Sequence, residues 1–128
     1  MQHNPVGWFE IYVQDMPRAR AFYETVFQTE LSPLPFEGAE MMAFPMPSGE
    51  TWAQTPGATG ALIRLPGCPS GGSGTLVYFS CADCAVEAER ALQHGGQLHR
   101  GKFSIGQYGF IALVVDSEGN LIGLHSMQ

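Results

Sequence analysis

The sequence predicts an α+β fold made of two copies of one βαβββ unit. Three observations carry that reading. A seven-residue alternating strand followed by an aspartate and a helix-like segment occurs twice, ahead of Asp15 and again ahead of Asp83. A Gly/Ser/Pro stretch without periodicity, Pro66–Gly74, separates the two copies and reads as a linker. Late in each half the pattern G-x-L-I-x-L recurs, at Gly60–Leu65 and at Gly119–Leu124. Repetition on this scale means two copies of a supersecondary unit, each unable to cover its core alone. The expected organisation is one domain over residues 1–128, with repeat one at 6–65, the linker at 66–74 and repeat two at 75–128.

The elements follow in order. Trp8, Glu10 and Tyr12 alternate with Phe9, Ile11 and Val13, the period-two signature of a strand with two unlike faces. Asp15 can accept from the free N–H groups of a following helical turn, and Pro17 suits the first turn, where its missing N–H is not needed. Ala19, Phe22, Tyr23, Val26 and Phe27 recur at three- and four-residue spacing, predicting one apolar stripe on that helix. Thr29–Phe36 reads as an edge strand, because Pro33 and Pro35 cannot donate to a ladder. Ala39–Met46 is the next strand, with Met42, Phe44 and Met46 on one face. Pro47–Gly57, containing Trp52, is a loop, and Thr59–Leu65 is a third strand.

The second half opens on the alternating strand Thr75–Cys81, and Asp83 caps a helix through Gln93 with Ala85, Ala88, Ala91 and Leu92 as its stripe. His94-Gly95-Gly96 ends that helix, since glycine tolerates the left-handed conformation. Gln97–Phe103, Gly109–Val115 and Asn120–Ser126 are strands, the last two joined by a hairpin turn at Asp116–Gly119.

Composition narrows the function classes. A chain of 128 residues with 45% hydrophobic side chains can bury a core. A net charge of −6 with six Lys+Arg argues against nucleic acid or an anionic membrane as partner, since both need a basic surface. No apolar run reaches membrane-spanning length, and MQHNPVG lacks the basic and apolar regions of a signal peptide, so a cytoplasmic location is expected. Three cysteines, an odd number, suit a reducing compartment better than a disulfide framework.

The βαβββ–βαβββ order resembles the vicinal oxygen chelate superfamily, which includes glyoxalase I, bleomycin- and fosfomycin-resistance proteins and extradiol dioxygenases. The resemblance is carried by Asp15, Arg18, Ala19, Phe22 and Tyr23 in the first half and by Asp116, Glu118, Gly119 and Asn120 in the second, and it covers nearly the whole chain. It implies a curved mixed sheet around a cup, with the helices outside, and often a homodimer. In the enzymes of that family a divalent ion sits in the cup on His, Glu or Gln from the first and last strand of each half. The matching positions here, counted from the aspartates and from Asn120, hold Trp8, Arg64, Leu76 and Gly123. None is an ordinary ligand for such a cation. The expectation is therefore no metal and no cofactor, with the usual glyoxalase chemistry in doubt.

Strand alternation, applied to the cup, turns Trp8, Glu10, Tyr12, Leu62, Arg64, Leu76, Tyr78, Ser80, Leu121, Gly123 and His125 inward, with Met42, Phe44 and Met46 as walls. That is an aromatic, Met-containing pocket for a small organic ligand. Its contact residues would be Trp8, Tyr12, Phe44, Met46, Leu62, Arg64, Tyr78 and Leu121, and its candidate catalytic residues Glu10 and His125. Glu10 and Arg64 admit two readings: a salt bridge that makes the cup habitable for charge, or a general base beside an anchor for an anionic substrate. His125 is either a half-buried hydrogen-bonding side chain or a proton-transfer group. Three functions remain open. The protein sequesters a small molecule as bleomycin-resistance proteins do, or it is a lyase or isomerase with an unusual site, or it is a structural or regulatory dimer. Cys81-x-x-Cys84 sits at a helix N-terminus but lacks a thioredoxin context, and His3, His94 and His99 read as surface residues.

Overall fold

A computed structural model describes residues 5–46, 57–72 and 74–128. His3 and nearly all of the loop expected around Trp52 lie outside the described residues. Among the described residues eight strands and two α-helices follow the expected order: β1 (Val6–Tyr12), α1 (Met16–Phe27), β2 (Ser32–Pro33), β3 (Glu40–Ala43), β4 (Thr59–Arg64), β5 (Thr75–Ser80), α2 (Cys84–Gln93), β6 (Gln97–Ser104), β7 (Phe110–Val115) and β8 (Leu121–Ser126). The chain divides into two compact units, Trp8–Leu76 and Val77–Gln128 with the N-terminal residues. Each is a mixed sheet with one helix, so the fold class is α+β.

In the first unit the strand order is β2-β3-β4-β1, with β1 parallel to β4 and the other pairs antiparallel. In the second the order β6-β7-β8-β5 repeats that plan, with β5 parallel to β8. Both helix starts are built as the sequence predicts. The Asp15 carboxylate accepts from the Arg18 N–H at 3.0 Å, and that of Asp83 from the Ala85 N–H at 3.0 Å. Ser126 adds a second cap on α2: its buried hydroxyl accepts from the Cys84 N–H at 2.9 Å and donates to the Gln128 carbonyl at 2.8 Å. The end of the linker is tied to β1, where the Gly74 carbonyl accepts from the Tyr12 N–H at 2.7 Å.

Each core lies between the helix and one sheet face. Val13, Met16, Leu31, Met42 and Leu62 form the first, with Ile11, Ala19, Tyr23 and Phe44 against it. Cys84, Ala88, Ala112, Val114 and Leu124 form the second, with Phe79, Cys81, Ala91, Phe110 and Ile122 against it. The α1 stripe differs from the expected one. Met16, Ala19 and Tyr23 face the sheet, whereas Phe22, Val26 and Phe27 are 58%, 54% and 64% exposed. Five apolar residues cover more of a helix than one narrow contact can bury, and the set beginning at Met16 has the contact. On α2, Ala88 and Ala91 pack inward with Cys84, while Ala85 and Leu92 are exposed. Strands β2 and β3 are also shorter than predicted: β2, at the edge, keeps two residues of Thr29–Phe36, and β3 ends at Ala43, before Phe44 and Met46.

Candidate functional site

The site begins on β1. Ile11 and Val13 pack under α1, so pleating turns Trp8, Glu10 and Tyr12 to the opposite face. There they form a hydrogen-bonded row, in which the Glu10 carboxylate accepts from the Trp8 indole N–H at 3.1 Å and from the Tyr12 hydroxyl at 3.1 Å. All three side chains are half-buried. Burial, and after it the charge and hydrogen bond of Glu10, push the Tyr12 phenol well above its usual range, and the nearby Cys68 adds to the effect. The sign follows. A phenol whose folded value is raised favours the folded state below the ordinary value near 10 and loses that contribution as pH climbs toward the raised value. Ultraviolet titration should therefore show Tyr12 ionising later than an ordinary tyrosine. Glu10→Gln should bring it partway back and no further, because burial is the larger cause.

The remaining predicted site residues are not all on this face. In β4 the register pairs Glu10 with Ala61 and Ile11 with Leu62, and β3 pairs Met42 with Leu62. Leu62 is fully buried in the core under α1, Met42 is buried there with it, and Phe44 packs against the same core, so none of them can be the cup wall predicted for it. Met46 is exposed beyond the end of β3. Arg64 shares the parity of Leu62 and projects at the strand end, where its Nε donates to the Gln14 carbonyl at 3.2 Å. No salt bridge to Glu10 forms there.

The cause is a register error in the repeat. Matching the two G-x-L-I-x-L stretches aligns Leu62 with Leu121. The ladders, in which Glu10 opposes Ala61 and Tyr78 opposes Gly123, align Leu62 with Leu124 instead. The two alignments differ by three residues, an odd number, and that exchanges the faces of a strand. In the second unit the expected parity is found. Ile122 and Leu124 face α2, so Leu121, Gly123 and His125 lie on the other side, with Leu121 at the exposed start of β8. Tyr78 lies flat on Gly123, leaving no room for a Cβ there. The ring of His125 meets the Tyr108 carbonyl with Nε2 at 2.6 Å, and since a carbonyl only accepts, Nε2 carries a proton and donates. Tyr108 had no sequence signal, since its role is played by its backbone.

With the register corrected, the places where the resemblance puts metal ligands hold Trp8, Ala61, Leu76 and Gly123. None has a donor atom suited to a divalent ion, and the Tyr78 ring occupies the space over the last. Among the described residues no three His, Cys, Asp or Glu side chains gather as a metal cluster. The residues present do not fit the ion of the related enzymes.

The other polar motifs are structural. Asp116 accepts from the N–H groups of Glu118 and Asn120 at 2.8 and 2.9 Å, which close the hairpin and hold its carboxyl below the usual range. Lys102, donating at 2.8 Å, and the Ala85 N–H do the same for Asp83. In the C-x-x-C, Cys84 is fully buried and the Cys81 thiol is pushed up to about 11, first by burial and then by Glu87. The thiolate needed for exchange chemistry is scarce at Cys81.

No family model and no curated protein sequence matches the chain. Solved structures do. A variant of the Streptomyces coelicolor methylmalonyl-CoA epimerase, in complex with 2-nitronate-propionyl-CoA, is 17% identical with a TM-score of 0.69, over 96% of this chain and 96% of that one. The Mycobacterium tuberculosis methylmalonyl-CoA epimerase is 16% identical with a TM-score of 0.66, over 97% of this chain and 88% of that one. A hypothetical protein from Bacillus halodurans is 12% identical with a TM-score of 0.70, over 99% and 96%. The epimerases are vicinal oxygen chelate proteins, and this chain has the vicinal oxygen chelate fold. No described helix is long and apolar enough to cross a membrane.

Proposed function

We propose that the protein binds a small organic molecule against the β1 face bearing Trp8, Glu10 and Tyr12, and does so without a metal ion. The observation that carries this reading is Glu10, a half-buried carboxylate on the face turned away from α1, accepting from both flanking aromatic side chains. A face needed only for packing would be filled with aliphatic residues, because a buried charge costs free energy unless it is hydrogen-bonded. Two rings around one negative charge favour a ligand with a flat apolar body and a hydrogen-bond-donating or cationic group. Sequestration, as in bleomycin-resistance proteins, needs nothing more. The exposed Phe22, Val26 and Phe27 on α1 support a homodimer as part of the same proposal, in a cytoplasmic setting.

One observation favours a second reading. Several of the similar structures are methylmalonyl-CoA epimerases, and an isomerase or lyase on this fold would use Glu10 as a proton-transfer group. A thermal-shift screen of small aromatic amines and alcohols separates the two. Binding should raise the melting temperature of the wild type, and Glu10→Gln should lose most of that rise with no substrate consumed by either protein. Turnover that disappears in Glu10→Gln would favour the isomerase or lyase. An equal rise in both proteins would remove Glu10 from the site.

A further inference from the structure

We propose a second binding site, for a small monocarboxylate with an apolar body, in the hollow where β1 and β4 end. It stands independently of the function proposed for the β1 face. The hollow has a volume of about 300 Å³, and its walls include Val13, Leu65, Pro66 and Pro69, with Gln14 and Arg64 as polar groups. That is the lower end of the size range of small-molecule sites.

Arg64 gives the hollow its chemistry. Its Nε is tied to the Gln14 carbonyl at 3.2 Å, and this is its one hydrogen bond among the described residues. The tether orients the guanidinium and leaves Nη1 and Nη2, a planar pair of donors, for another acceptor. Such a pair matches the two oxygens of a carboxylate. Three of the other cations are engaged among the described residues: Arg20 pairs with Glu24, Lys102 with Asp83, and Arg100 lies over the Phe103 ring. Arg64 differs from these three in being held by a main-chain carbonyl at the rim of a hollow.

The charge of the ligand follows from the same residues. One guanidinium balances one negative charge, and a chain with net charge −6 disfavours a second. A monoanionic carboxylate is therefore preferred to a doubly charged phosphate monoester. Arg64 is exposed, so its charge alone would hold an anion weakly; the apolar side chains of the hollow favour a hydrocarbon group behind the carboxylate, whose burial adds to the contact.

Chemical-shift titration of the full chain with benzoate, benzamide and phenyl phosphate tests this. Benzoate should give a saturable shift of the Arg64 Nε–H and of the Gly67 and Cys68 amides, and benzamide none. Arg64→Gln should weaken benzoate binding about tenfold or more, the usual worth of charge-assisted hydrogen bonds, with the rest of the spectrum unchanged. Arg64→Lys should recover only part of the loss, because it restores the charge without the fork. Shifts that do not saturate, or that survive in Arg64→Gln, would overturn the site. Phenyl phosphate binding more tightly than benzoate would overturn the ligand class.

Discussion

Leu62→Ala is expected to lower the free energy of unfolding by about 3 kcal/mol, in the range for truncating a buried leucine. Leu62 is wholly buried and sits between Ile11 and Met42 beneath α1. Neighbours on two strands and a helix cannot all close in, so a cavity should remain. Urea unfolding measures the change. The experiment also decides the face of β4, because a cup-lining leucine would show its loss in ligand affinity instead. A fall of less than about 1 kcal/mol, with ligand binding impaired, would return Leu62 to the cup.

Gly123→Glu should cost about 3 kcal/mol or more, at or above the upper end for overpacking a filled site. The substitution places a carboxylate where the family resemblance puts a metal ligand. Here it would drive a side chain into the ring of Tyr78, which is 6% exposed and cannot swing into water without leaving the core. Gly123→Ala should show the same effect at smaller size, since even a Cβ meets the ring. Calorimetric titration with zinc should find no gain in affinity in either variant. A Gly123→Glu protein of wild-type stability that binds zinc would mean that the position still serves an ion.

The fold was legible where its causes are local. Alternation in β1, the Asp15 and Asp83 caps and the Asp116 turn depend on residues within four positions of one another, and all are found as read. The face of β4 was not legible, because it depends on pairing with β1 across some fifty residues of chain. The repeated G-x-L-I-x-L pattern offered a register that was wrong by an odd number, and so moved Leu62 and Arg64 to the wrong side together. The candidate site divides in the same way. Trp8, Glu10 and Tyr12 could be placed on one face from spacing alone, whereas their hydrogen bonds needed coordinates. Arg64 was visible as a candidate anchor for an anion, but its partner is a main-chain carbonyl, which no side-chain pattern announces. Phe22, Val26 and Phe27 show the limit of helical periodicity, which finds apolar residues and cannot say which of them meet the sheet.

The most direct test of the account is native mass spectrometry, with elemental analysis, of protein purified without chelator. The expected spectrum shows no stoichiometric metal and a mass increment from an organic compound, the increment falling away in Glu10→Gln. One divalent ion per chain, retained by the wild type and released together with the ability to bind small molecules, would contradict it.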